Sequence, residues 1–64
     1  MIRVDGYEFF DGASTLEVSR VDDQIRVRII DMERGVMRQI MLRPSDAEKL
    51  AEAILELVKK IAEG

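Results

Sequence analysis

Pro44, the only proline in this chain of 64 residues, separates two stretches of different periodicity, and this division limits the possible folds more than any other feature. Before it, apolar and polar residues alternate with the period of two that a half-buried strand requires. After it, apolar residues recur at helical spacing. Proline cannot continue a central strand and suits the first turn of a helix, so a strand should end and a helix begin there. The expected fold class is α+β: a three- to four-stranded antiparallel meander followed by one C-terminal amphipathic helix packed on one sheet face.

Turn signals in the first part fall at Asp11-Gly12-Ala13-Ser14, Asp22-Asp23-Gln24 and Glu33-Arg34-Gly35. They lie about eleven residues apart, the spacing of a strand-turn-strand meander. Strands are expected over about 2–10, 15–21, 25–32 and 36–43, with Asp5-Gly6 able to form its own hairpin or a bulge. Alternation places Leu16, Val18, Ile25, Val27, Ile29, Val36, Ile40 and Leu42 on one apolar face. Arg38 interrupts that face, so it either emerges at a sheet edge or marks a register slip of one residue. The opposite face mixes Glu17, Ser19, Arg26, Arg28, Gln39 and Arg43 with Ile30, Met32, Met37 and Met41. A merely solvated face would read more uniformly polar.

The helix is expected over about 45–63, with Ser45 as N-cap and Glu48 completing a capping box. Its polar residues fill an arc of roughly 120°, and its apolar ones span roughly 200°, about twice the stripe that packing on one sheet needs. The flanks around Leu55 and Leu57 are therefore candidates for burial against a second copy, with Met37 and Met41 added from the sheet.

A single domain spanning residues 1–64 is short of core. At this size folding removes only about 60% of the exposed surface, and a chain with no Cys and no His has neither disulfides nor the usual zinc ligands. Oligomerisation is the device left, so a homodimer is expected. The same absence removes thiol nucleophiles and the commonest general base, so no enzyme activity, no cofactor, no metal and no small-molecule substrate are expected. Nor is there a charged-then-apolar leader or a run of 18 apolar residues, which makes the expectation cytoplasmic, without a membrane partner. The charged fraction of 36% and the lack of asparagine lean towards a heat-adapted source.

All seven arginines precede Pro44 and all three lysines follow it. Arginine suits paired, stacked or phosphate-bound positions. Arg26, Arg28, Arg38 and, for base stacking, Tyr7 are thus candidates for contacting nucleic acid, single strands above all. The other reading of Arg26 and Arg28 is cross-strand pairing with acids such as Glu17, and that of Phe9 and Phe10 is a place in the core. A net charge of -3 favours the internal pairing.

The stretch Ile40-Met41-Leu42-Arg43-Pro44, continuing to Leu50, Glu52 and Ile54, resembles the last strand and helix opening of the single-stranded-DNA-binding transcriptional coactivator family called positive cofactor four. Weaker similarity extends it over about 18–61, through Val18-Ser19-Arg20, Ile25 to Ile29 and the Arg34-Gly35 turn. The chain departs from that family at Ala47, where the family has a large aromatic, and in a basic run reduced to Arg34 and Arg38. The resemblance implies a dimer whose exposed sheet tracks a nucleic-acid backbone, with Arg26, Arg28 and Arg38 as the basic positions. Two functions are therefore expected: a small dimeric nucleic-acid-binding protein, or a structural or protein-interaction homodimer with internally paired arginines.

Overall fold

The computed structural model describes residues 5–64. Four strands, β1 (Gly6–Asp11), β2 (Ser14–Val21), β3 (Gln24–Asp31) and β4 (Val36–Leu42), form one antiparallel sheet in the order β1-β2-β3-β4. The helix α1 (Pro44–Glu63) follows and packs on one face. The α+β architecture is as the periodicities predict. The expected beginning of the first strand, at residues 2–4, lies outside the described residues.

Short loops set the register. Gly12 and Asp22 both take a positive φ, 59° and 55°, at the first position of two-residue hairpin loops. In the longer third loop Gly35 does so at the last position, with φ 63°. There the Asp31 carboxylate accepts hydrogen bonds from the backbone N–H groups of Glu33 and Arg34, at 3.1 and 3.2 Å, an Asx-type closure. Asp5 and Gly6 do not form a separate hairpin: Gly6 pairs with Ser19, and Arg20 N–H donates to the Asp5 carbonyl at 2.7 Å. A Cβ on Gly6 would lie 3.1 Å from that of Ser19, so the close approach of β1 to β2 favours glycine here.

The register gives each face in rows. On the helix side, Tyr7, Val18, Val27 and Ile40 form one row, and Phe9, Leu16, Ile29 and Arg38 the next. Arg38 faces Ile29 without any slip and is exposed because β4 is an edge strand. The core, such as it is, lies at the other end of this face, where Val18, Ile25, Val27 and Leu42 look towards Leu50 and Ile54 across a gap of about 210 Å³.

The helix begins two residues earlier than the capping box predicts. Pro44 takes the first helical position and Arg43, with φ -68° and ψ 154°, the N-cap, without a side-chain cap. Proline's fixed φ suits that position, which puts Ser45 at the second helical position, two residues past the cap. Arg43 instead pairs with Asp46 at 3.6 Å. At the other end the Gly64 N–H donates to the Lys60 carbonyl at 3.0 Å.

The helix covers little. None of its residues is buried, and among the described residues of the whole chain only Thr15, 6% exposed, is. Phe9 and Phe10, expected in a core, are 57% and 71% exposed because both sit on the edge strand β1. The radius of gyration is 13.9 Å, against about 11 Å for a compact domain of this length.

Candidate recognition face

The sheet face away from the helix is built from three cross-strand rows. The first is Gly6, Ser19, Arg26 and Met41; the second Glu8, Glu17, Arg28 and Gln39; the third Phe10, Thr15, Ile30 and Met37. Each row follows from the alternation of side chains along strands whose pairing the short loops fix. A polar band thus runs across the sheet, bounded by an apolar row on one side.

Within the band, Arg28 Nε lies 3.3 Å from Glu17 Oε1, and both side chains are about one-fifth exposed. The approach is an ion pair without hydrogen-bond alignment, since Arg28 Nε has no hydrogen-bond partner. Arg26 Nε and Ser19 Oγ are also enclosed and unpartnered among the described residues. They border a notch of about 340 Å³ that Gly6 leaves open, with Glu8 and Glu17 along its other sides. Tyr7, between Gly6 and Glu8 in β1, also borders the notch, although its register pairs it with Val18 on the helix side. Two guanidiniums and two carboxylates share the band, so its formal charge cancels.

The residues singled out in the sequence are divided between the two faces. Arg26, Arg28, Met37 and Met41 share the open face, whereas Arg38 and Tyr7 belong to the rows of the helix side. The open face therefore carries Arg26 and Arg28 but not Arg38. Leu55 and Leu57, 63% and 59% exposed, lie on the helix. Gln39 stands on this face as the alternation predicts, whereas the sequence patterns assign neither Glu8 nor Phe10 to it. The two-residue loops at 12–13 and 22–23 were the signal that could have found them, because a hairpin of known loop length dictates which residues stand opposite.

No cluster of three acids that could hold a metal occurs among the described residues, and no described helix is long and apolar enough to cross a membrane. No family model, curated protein or solved structure matches this chain.

Proposed function

We propose that this chain works as a homodimeric interaction module, joined through the apolar helix-side surface and presenting the mixed sheet face outward. The observation that carries this reading is the apolar surface left bare. A compact monomer of 7.3 kDa exposes about 4,200 Å², whereas this chain exposes 5795 Å² and buries no apolar side chain among the described residues. The surplus, on the order of 1,500 Å², is what each partner of an obligate interface gives up. Ile29, Ile40, Leu57 and Ile61 are among the exposed residues that contribute to it. With no cysteine or histidine to staple the fold, a second copy is the available source of a core.

Light scattering tests the reading. It predicts a mass twice 7.3 kDa and a melting temperature that rises with protein concentration, because association stabilises by mass action. A monomer with concentration-independent melting would overturn it. A cytoplasmic setting, in keeping with a chain without cysteine, and a heat-adapted source are part of the same proposal.

A second reading, binding of single-stranded nucleic acid, is favoured by one observation: Arg26 and Arg28 stand side by side on the face the helix leaves open, with both Nε atoms lacking hydrogen-bond partners. The resemblance to the coactivator family belongs to this reading, and Glu8 and Glu17 oppose it by cancelling the charge. Its test is the fluorescence anisotropy of a labelled single-stranded oligonucleotide at about 50 and about 200 mM salt, with a duplex control. Salt-sensitive binding that Arg26→Ala and Arg28→Ala abolish without unfolding would support it; no binding at tens of micromolar retires it.

A further inference from the structure

The strand order leaves β4 at an edge of the sheet, and nothing blunts that edge. Val36–Leu42 contains no proline, glycine or lysine, has no positive φ, and pairs with β3 at every residue, so no bulge twists it away. Six of its seven residues are exposed, and Arg38 is its only charge. Such an edge offers a free row of N–H and C=O groups to another strand. The other edge, β1, carries two acids, Glu8 and Asp11, among its six residues, a pattern that discourages self-pairing.

Centred on Gln39, β4 is close to self-complementary. Val36 corresponds to Leu42, Met37 to Met41, and Arg38 to Ile40. We infer that two copies join by antiparallel pairing of β4 with β4 about a twofold axis at Gln39, making one eight-stranded sheet. This rests on the homodimer reading above and adds the strand and its register. Met37 then stands opposite the partner's Met41 and Val36 opposite the partner's Leu42, apolar contacts that each occur twice, as an isologous interface requires, while Arg38 lies beside the partner's Ile40 and Gln39 meets its own copy on the axis. A twofold axis perpendicular to the sheet keeps each face on its own side, so the two helix-side apolar faces become continuous. Since α1 lies over β3 and β4, the two helices come to the seam together, and their bare flanks find cover there. The apolar pairs of the seam and the helix flanks beside it draw on the apolar surface that a lone chain leaves exposed, which is why the second copy, rather than an unrelated peptide, fits this edge. Arg38 and the partner's Arg38 stand diagonally across the seam at roughly 7–8 Å. Their repulsion is screened over a Debye length of about 8 Å at physiological salt, so added salt tightens the dimer.

The chain contains no cysteine, which makes thiol cross-linking a clean test. Directly opposed residues of an antiparallel pair have Cα atoms about 4.5–5.5 Å apart, within the span of a disulfide. Gln39→Cys is expected to convert to a covalent dimer under mild oxidation. Met37→Cys and Met41→Cys lie about 13 Å from their own copies in this register, so neither cross-links alone, whereas an equimolar mixture of the two does. Circular dichroism checks that each variant keeps the fold. A light-scattering dimer in which folded Gln39→Cys fails to cross-link overturns the β4 seam and leaves the homodimer reading standing. Self-cross-linking of Met37→Cys overturns the register, and a monomeric parent chain overturns both proposals together.

Discussion

Gly35 shows how little of a residue's role rests on its neighbours. It takes φ +63°, and a Cβ built there meets nothing within 4 Å, so substitution would bring no clash and only the backbone would object. Gly35→Ala is expected to lower stability by about 1 kcal/mol, the approximate cost of a left-handed conformation for an ordinary residue. For a domain of this size that is a fall of about 4–8 °C in melting temperature, measurable by circular dichroism; an unchanged melt would mean that the loop has another conformation. Asp22 takes the same left-handed region with a side chain that tolerates it. The arginines were legible only in part. That Arg26 and Arg28 share a face follows from their spacing of two, and Glu17 is an expected cross-strand partner for either; the register between β2 and β3 selects Arg28, at 3.3 Å. Arg38 differs by an even number from both and yet stands on the other face, because it belongs to a different strand whose phase the third loop sets.

At the scale of elements, strands and helix were legible because their signals are local. Turn residues bound the strands, and the periodicity changes at Pro44. The cap lies two residues before the one the sequence predicts: Ser45 and Glu48 have the spacing of a capping box, but Pro44 occupies the first helical position and leaves Arg43 at the N-cap. Ser45→Ala is therefore expected to leave the melting temperature unchanged, since a working cap would lose about 1 kcal/mol on the same substitution. A drop of that size would show that the serine caps the helix after all.

At the scale of the molecule the decisive property is what the helix fails to cover. Ile61, near the end of the helix on the face it shares with Leu50 and Ile54, is 80% exposed, and the single chain has no means of burying it. If this end of the helix is solvated, Ile61→Glu should be harmless; in a dimer with the helices at the seam it places a carboxylate in the interface. We expect Ile61→Glu to weaken self-association tenfold or more in sedimentation equilibrium while the circular dichroism of the concentrated protein remains that of a folded α+β chain. Unchanged association would exclude the end of the helix from the interface.

What this amino-acid sequence determines by itself is the kind and order of its elements and the sides of each that are apolar, because alternation, helical spacing, turn residues and the lone proline act over a few residues. It also foretells a surplus of apolar helix surface. Only the tertiary structure decides that Tyr7 stands on the helix side, that Arg38 does so without a register slip, that the phenylalanines are exposed on an edge, and that the helix covers only part of the sheet. Those outcomes depend on pairing phase and helix docking, which join residues far apart in the chain, and no local pattern carries that information.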